Sequence, residues 1–246
     1  MPRHFNPDKP ELMDRPQPIS AELERDLENL VSLNRWFGSH RLLRRFLSRW
    51  WSRGASCRVL DLCTGAGDLP RLMVDFARSR GIQIRVVAVD TNPSTLEIAR
   101  RRSTDYGEIN FVEANALNCG SPGEFDMVHC SLALHHFSDA DAVALLRRCA
   151  LLTRRWVLVS DLERSAFTTA AVWLLTEFIY RDEMTRVDAR ISAERAFSFR
   201  EVGRLADEAG WSGHGHARFL FSRQALWLDL GAEVAQDGLQ RETCPA

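Results

Sequence analysis

The sequence predicts an α/β fold: a mostly parallel sheet of seven strands, with helices on both faces and an antiparallel hairpin at its C-terminal edge. The chain has 246 residues, of which 45% are hydrophobic and 26% charged, as in a globular protein with a full core. From Cys57 onward, short apolar runs alternate with amphipathic helical segments. Strands joined by such helices pair in parallel, because each helix covers a face of the sheet.

The first 54 residues precede this alternation and divide into two regions. Residues 1–19 hold five of the nine prolines, which disfavour helix and strand pairing, so they are expected to form an extended arm. Residues 20–54 are expected to form a helical cap, with helices over about 20–36 and 39–52. The second helix is basic and amphipathic. Its arginines are either solvated on a packed helix or directed at a membrane or a carrier protein.

Residues 55–230 are predicted to form the main domain, followed by a tail over 231–246. The parallel strands are expected at residues 57–62, 84–90, 109–113, 125–131 and 155–160, and the helices between them at about 69–80, 93–102 and 139–151. The last elements expected are an apolar helix over 166–180 that is buried or covers a pocket, a helix over 198–209, and hairpin strands over about 211–218 and 221–229.

Charge and cysteine usage exclude several classes of function. The net charge of −1 gives no general attraction to nucleic acid or to anionic lipid. The six cysteines are scattered, without a Cys-x-x-Cys pair or a histidine cluster at zinc spacing, so we expect no bound metal and reduced thiols. No apolar run is long enough for a membrane span or a signal peptide, which predicts a cytoplasmic protein.

A glycine-rich turn follows the first strand of the main domain. Gly65 and Gly67 let the backbone approach a ligand closely, and Pro70 suits the first turn of the helix after them. The next strand ends in Asp90, 23 residues beyond Gly67, where a carboxylate can accept both hydroxyls of a ribose. This order of strand, turn, helix, strand and acid is typical of a Rossmann-like domain that binds a nucleoside cofactor.

The same loop disfavours a dinucleotide. The third glycine of the dinucleotide motif is replaced by Pro70, and the carboxylates of Asp61 and Asp68 suit a cationic ligand better than two phosphates. Lys9 is the only lysine, so neither a Walker loop nor the Tyr-x-x-x-Lys pair of short-chain dehydrogenases can occur in the main domain.

Three segments resemble the cofactor motifs of class I S-adenosylmethionine (SAM)-dependent methyltransferases. Residues 59–67 resemble the first motif, 89–93 the second and 111–117 the third, where Asn115 replaces the usual aspartate. The resemblance implies SAM as the cofactor and S-adenosylhomocysteine as its product. The cofactor-binding residues that it implies are Asp61, Cys63, Thr64, Gly65, Ala66, Gly67, Asp90, Thr91, Asn115, Ala116, Leu117, Ser131 and Leu132.

Two adjacent histidines follow the fourth strand, where an open α/β sheet binds its ligands. Residues 134–139 are similar to a stretch of phenolic O-methyltransferases whose histidine is the catalytic base, which makes His135 the candidate and His136 the second choice. The alternative is a structural or cofactor-contacting role for both. Asp161, Glu163 and Trp173 are predicted to contact the acceptor, although solvated carboxylates and ordinary packing would explain them as well.

The leading hypothesis is therefore methyl transfer to a small-molecule acceptor, as O-methylation of a phenolic, quinol or polyketide-like hydroxyl in secondary metabolism. C-methylation of an activated ring, as in ubiquinone-type methyltransferases, is the nearest alternative. A non-catalytic partner protein of the same fold is another. A nucleic-acid substrate is disfavoured by the charge and by the absence of Asn/Asp-Pro-Pro-Tyr after the fourth strand. A homodimer is compatible with the sequence.

Overall fold

A computed structural model describes residues 2–231, and its sheet has the strand order β3-β2-β1-β4-β5-β7-β6. The strands are β1 (Ser56–Leu62), β2 (Gln83–Asp90), β3 (Ile109–Glu113), β4 (Phe125–Ser131), β5 (Thr153–Leu162), β6 (Gly215–Phe219) and β7 (Arg223–Asp229). The helices are α1 (Ala21–Trp36), α2 (Ser39–Trp50), α3 (Asp68–Arg78), α4 (Pro93–Arg101), α5 (Asp139–Leu152), α6 (Ala166–Phe178), α7 (Glu183–Arg195) and α8 (Phe199–Glu208).

The sheet has the predicted mixture of parallel and antiparallel pairs. β1 to β5 are parallel to one another, whereas β7 lies antiparallel between β5 and β6. The order in which successive strands are added to the sheet reverses between β1 and β4. Because these strands are parallel, the carboxyl ends of β1, β2 and β4 lie at the same edge. This edge is where an open α/β sheet places its ligand site.

Each face of the sheet has its own hydrophobic core. On one face, Leu60 and Val128 of the sheet pack with Leu145 of α5 and Leu205 of α8. On the other face, side chains of α2 and α3 cover the sheet. The residues of α2 that are buried there include Leu42, Leu43, Phe46, Leu47 and Trp50. The apolar side of this basic helix therefore packs on the domain. Its arginines are exposed to solvent, which agrees with the first of the two alternatives, a packed helix with solvated arginines.

Local capping explains where several helices begin. Ser20 accepts a hydrogen bond from the Leu23 amide at the start of α1, and Ser138 accepts one from the Asp141 amide at the start of α5. Ser198 forms a capping box with Glu201, which fixes the first turn of α8. These serine caps satisfy amides that a helix leaves without partners.

The C-terminal part of the domain differs from the prediction at three points. Residues 211–214, predicted as strand, form a turn, and β6 begins only at Gly215. A Cβ at this glycine would lie 2.0 Å from the ring of Trp227 on β7, so the two strands can pair only around a glycine. Helix α7 was not predicted at all, and α6 ends at Phe178 rather than at residue 180. One side of α6 is exposed, while Val172 and Leu175 line a cavity, which agrees with the pocket-covering alternative.

The N-terminal arm is irregular, as expected, but it is docked on the domain. The amides of Leu12 and Met13 donate to the Asp188 carboxylate on α7. Ser94, at the start of α4, donates from its hydroxyl to the carbonyl of Gln17 in the arm. The arm therefore spans from α7 to α4. Most of the predicted tail, residues 232–246, lies outside the described residues. Within residues 2–231, no helix is long and apolar enough to cross a membrane.

Candidate active site

A cavity of about 410 Å³ opens at the carboxyl ends of the parallel strands. This volume is typical of small-molecule sites. Its walls come from the glycine turn, the ends of β2, β4 and β5, the histidine pair, helices α1, α6 and α7, and the N-terminal arm. The cavity therefore brings together segments from both ends of the chain.

The glycine turn forms one wall of this cavity. Gly65 has φ +52° and no other atom within 4 Å of where a Cβ would be, so its backbone is open to a ligand. Gly67 has φ +69°, and a Cβ there would lie 3.0 Å from the ring of Phe111. Gly65 is thus needed for access and Gly67 for packing, and Gly67 does not itself line the cavity.

Asp90 ends β2 beside the glycine turn. One carboxylate oxygen accepts the Gly65 amide at 2.9 Å and the other accepts the Asn92 amide at 3.0 Å. Burial raises the pKa of Asp90, although these amides oppose the effect. Each oxygen keeps a lone pair for a further donor. The carboxylate is therefore fixed in place and still able to accept hydroxyls.

Two more carboxylates flank the turn and are held by side chains far away in sequence. Asp61 accepts from Nδ1 of the buried His129 at 2.5 Å. Asp68 lies 3.1 Å from Nε2 of His40 and 3.2 Å from Nδ2 of Asn34. Both aspartates line the cavity. They give this end of the site a negative potential that suits a cationic ligand.

His135 presents one ring nitrogen to the cavity. Its Nδ1 lies 2.8 Å from Asp161, whose other oxygen accepts the His135 amide at 2.9 Å. A carboxylate only accepts, so Nδ1 donates to Asp161, and in the neutral ring Nε2 keeps its lone pair, 3.7 Å from a carboxylate oxygen of Glu11. Burial raises the pKa of Asp161, but its interaction with the His135 ring and the hydrogen bonds from the Leu162 and His135 amides outweigh burial and leave the pKa lowered. His135 is 2% exposed, and its Nε2 has no hydrogen-bond partner.

His136 is surrounded by carboxylates of the arm. Its Nδ1 lies 2.9 Å from Asp14, and its Nε2 lies 3.9 Å from Glu11. Burial lowers the pKa of His136, but the Glu11 charge and the bond to Asp14 outweigh it and raise the pKa to about 10. His136 is therefore a cation at neutral pH. The two adjacent histidines consequently differ in charge and in the chemistry open to them.

The comparisons with known proteins agree with this geometry. A methyltransferase domain family matches residues 59–155. The chain is thus similar to SAM-dependent methyltransferases, in sequence over these residues and in its fold.

A curated relative is the ubiquinone/menaquinone biosynthesis C-methyltransferase UbiE of Serratia proteamaculans, 37% identical over 109 residues, or 43% of this chain and 42% of the relative. The chain thus spans less than half the length of this relative. The fold is similar to a SAM-dependent methyltransferase from Aquifex aeolicus, with TM-score 0.57, 17% identity and coverage of 83% of this chain and 96% of the other. The fold is also similar to human N-acetylserotonin methyltransferase, which was solved in complex with SAM. The TM-score is 0.61 at 16% identity, and the match covers 84% of this chain and 55% of the other.

The cavity gathers most of the predicted cofactor-binding residues. The predicted residues that line it are Asp61, Cys63, Thr64, Gly65, Ala66, Asp90, Thr91, Asn115, Ala116, Ser131 and Leu132. Leu117 and Gly67 do not line it. Asn115 does, while its side-chain oxygen accepts the Leu117 amide at 2.9 Å. The residues present therefore fit a cation that contains adenosine. The backbone at Gly65 is open to a ligand, and the carboxylates of Asp61, Asp68 and Asp90 line the cavity around it.

The predicted acceptor residues are less well placed. Asp161 contacts His135 and is itself buried behind it rather than lining the cavity. Glu163 binds Arg218 on β6, and Trp173 lies on the surface of α6, half exposed, beneath the guanidinium of Arg190. Neither of these two lines the cavity.

Several lining residues were not predicted from the sequence. Glu11 and Asp14 of the arm reach the histidine pair, and Arg223 at the start of β7 forms part of the far wall. The arm has no periodic pattern, and only its docking on α7 brings its acids to the site. Glu11, His135 and His136 have ligand atoms within 4.8 Å of one another, a spacing that can hold a cation. The expected absence of a metal stays a prediction.

Proposed function

We propose that the protein transfers a methyl group from SAM to a hydroxyl of a small aromatic or polyketide-like acceptor, with His135 as general base. The observation that carries this proposal is the buried Nε2 of His135, which faces the same cavity as the glycine turn and Asp90 and has no hydrogen-bond partner. The domain family and the neighbouring folds support the choice of cofactor.

The cofactor end of the cavity supplies binding and orientation. When bound, SAM supplies a methyl group on a positively charged sulfur, with S-adenosylhomocysteine as the product. Asp90 would accept the ribose hydroxyls, the open backbone at Gly65 would lie against the cofactor, and Asp61 and Asp68 would face its cationic portion. The hydrogen bond from His129 keeps the Asp61 carboxylate in one orientation.

Proton transfer is assigned to His135 rather than His136. Asp161 holds Nδ1–H and so directs the Nε2 lone pair of His135 into the cavity, where it can take the proton of an acceptor hydroxyl. His136 already carries a proton at neutral pH, because its pKa is raised to about 10, and it is therefore a poor base there. Its positive charge instead faces Glu11 and Asp14 of the arm.

The acceptor end of the cavity is mainly apolar. It is lined by side chains of α1 and α6 together with the strand end at Leu162 and the ring of Tyr180. The apolar lining residues from the two helices are Leu30, Leu33, Val172 and Leu175. An aromatic or alkyl-bearing acceptor fits such walls, since apolar contact supplies affinity and a few polar groups fix orientation.

C-methylation is a second candidate, because the UbiE relative is described as a C-methyltransferase. The same base could ionise a ring hydroxyl and make the neighbouring carbon nucleophilic. A non-catalytic protein is less well supported, since the pocket and the His135–Asp161 pair are both in place. The homodimer stays a prediction.

A methyl-transfer assay with isotopically labelled SAM and a panel of phenols, quinols and resorcinols tests the proposal. Mass spectrometry detects the product, and NMR distinguishes an oxygen-bound from a carbon-bound methyl group. We expect His135→Ala and Asp161→Asn to lower kcat by about 100-fold or more, with S-adenosylhomocysteine affinity unchanged. His214→Ala is the matched control, because His214 bonds the Trp211 carbonyl outside the cavity. Full activity of His135→Ala would refute the base assignment.

A further inference from the structure

A buried arginine lies at the end of the cavity away from the glycine turn. Arg223 begins β7, lines the cavity and is 4% exposed. Its Nε donates to the Phe37 carbonyl at 3.1 Å, whereas its Nη1 is buried without a hydrogen-bond partner. Among residues 2–231, no carboxylate forms a salt bridge with this guanidinium. The side chain thus carries an unpaired donor in a ligand cavity.

The sheet order places Arg223 far from the cofactor-binding strands. From β2, which ends in Asp90, to β7 there are four strand steps, through β1, β4 and β5. At about 4.8 Å per step, β7 lies about 19 Å from β2 and about 14 Å from β1. Arg223 is therefore on the acceptor side, beyond the strand that leads to the His135 turn.

The environment of this guanidinium is apolar. Leu162 is its partner in the β5–β7 ladder, and Val172 and Leu175 of α6 line the same cavity. Burial lowers the pKa of Arg223 to about 10, which still leaves it protonated at neutral pH; the charge of Asp161 opposes this effect. Asp161 instead accepts hydrogen bonds from the His135 ring and from the Leu162 amide. A buried charge without a partner is unfavourable unless a ligand supplies the opposite charge.

The charges that line the cavity also differ from end to end. The carboxylates of Asp61, Asp68 and Asp90 surround the glycine turn, and among the lining residues of the described chain Arg223 is the single arginine or lysine. A cationic cofactor at one end and an anionic group at the other would match this arrangement.

We propose that Arg223 binds an anionic group of the methyl acceptor, namely a carboxylate, so that the acceptors are aromatic hydroxy acids with an apolar body. This inference rests on the proposed function and names its substrate class. A guanidinium matches a carboxylate with two parallel N–H···O bonds, and Nη1 is available for one of them. The acid group would lie at Arg223, the apolar body against α6, and the hydroxyl toward Nε2 of His135.

The test is a calorimetric titration of the protein saturated with S-adenosylhomocysteine. The probes are two matched sets: olivetolic acid with its methyl ester and with olivetol, which lacks the carboxyl group, and hydroxynaphthoic acid with its methyl ester and with naphthol. We expect at least one acid to bind about tenfold or more tightly than its neutral partners. Arg223→Gln and Arg223→Met should abolish the preference, and Arg223→Lys should keep part of it. Arg44→Gln, a change on the exposed side of α2, should leave it intact.

Two further measurements separate this proposal from other roles of Arg223. A merely structural arginine that holds the Phe37 carbonyl would make Arg223→Met less stable to heat, whereas an unpaired cation predicts a Tm that is unchanged or higher. A lower affinity of Arg223→Gln for S-adenosylhomocysteine would assign the arginine to the cofactor's carboxylate and overturn the proposal.

Equal binding of acids and neutral analogues, binding of none of the probes, or an acid preference that survives Arg223→Gln would also overturn it. Failure of the proposed function is a different result, in which the native protein does not bind S-adenosylhomocysteine at all.

Discussion

At the scale of single residues, the histidine pair shows that the neighbours of a side chain decide its chemistry. His135 and His136 are adjacent in sequence and their rings lie 4.3 Å apart. His135 donates to Asp161 and its Nε2 has no hydrogen-bond partner, whereas His136 is flanked by Asp14 and Glu11. The sequence predicted both as candidates, but Glu11 and Asp14, which surround His136, lie more than a hundred residues upstream.

Removing the charge of Glu11 should lower the pKa of His136. This pKa is raised to about 10 against burial, by the Glu11 charge and by the bond to Asp14. In Glu11→Gln we expect it to fall by about one unit or more, as followed by NMR of the imidazole protons. Glu97→Gln, on the exposed side of α4, is the control and should leave it unchanged. An unaltered His136 pKa in Glu11→Gln would show that the arm does not dock as described.

The two glycines of the turn should respond differently to alanine. Both have positive φ, so each substitution strains the backbone by about 1 kcal/mol or more. At Gly67 the new methyl group also meets the Phe111 ring at 3.0 Å, whereas at Gly65 it enters open cavity. We expect the Tm of Gly67→Ala to lie about 4 °C below that of Gly65→Ala, and Gly65→Ala to lose more S-adenosylhomocysteine affinity than stability. Equal Tm values, from calorimetry, would contradict this division.

At the scale of elements, the arm and α7 form a unit that the sequence did not reveal. Proline content predicted an extended arm, but not the place where it docks. Helix α7 combines a weak apolar pattern with buried polar residues that face the arm, such as Asp188 and Ser192. Because these polar residues are satisfied by the arm rather than by solvent, neither segment shows the periodicity on which helix prediction depends.

Docking of the arm should weaken as the pH rises toward neutrality. Asp188 accepts the Leu12 and Met13 amides, and burial raises its pKa to about 7 against these bonds. The ordinary pKa of an aspartate is 3.8, so between about pH 3.8 and about pH 7 the folded protein binds more protons than the unfolded chain. Stability from this group is therefore fully present below the lower value and is lost as the pH rises through the upper one.

Asp188→Asn removes this titration. The Tm of the variant minus the Tm of the native protein should increase by about 4 °C from about pH 5 to about pH 8, because only the native protein loses stability over this range. Asp207→Asn, on α8 and away from the arm, is the control. The prediction fails if the difference between the two proteins is constant across this range.

At the scale of the whole molecule, prediction succeeded where function depends on one contiguous segment. The strand, glycine turn, helix and Asp90 all lie within residues 56–90, and their local pattern was enough to infer the fold. The nucleoside site inferred from the same pattern stays a prediction, supported by the place of Gly65 and Asp90 on one cavity wall. Both strands of the hairpin were predicted, but residues 211–214 were wrongly assigned to the first of them. The error arose because the glycine at which this strand begins is required by Trp227 on the neighbouring strand, a contact that the local sequence does not reveal.

The acceptor end could not be predicted in the same way. It is assembled from the arm, α1, α6, α7 and the first residue of β7, which come together only in the folded chain. Arg223 is one of many arginines in the sequence, and only its burial and its unpaired Nη1 distinguish it. For the same reason Trp173, chosen for its place in an apolar helix, lies on the exposed side of α6 instead.

The most direct test of the central claim is a calorimetric titration of the purified protein with S-adenosylhomocysteine, beside NADH and beside the Asp90→Ala variant. We predict micromolar binding of S-adenosylhomocysteine alone, and a loss of about tenfold or more in the variant, because in the proposed binding mode the Asp90 carboxylate would accept the ribose hydroxyls. Asp75→Ala, an exposed change on α3, should bind as the native protein does. Binding of NADH in preference, or equal affinity of the native protein and Asp90→Ala, would contradict the account.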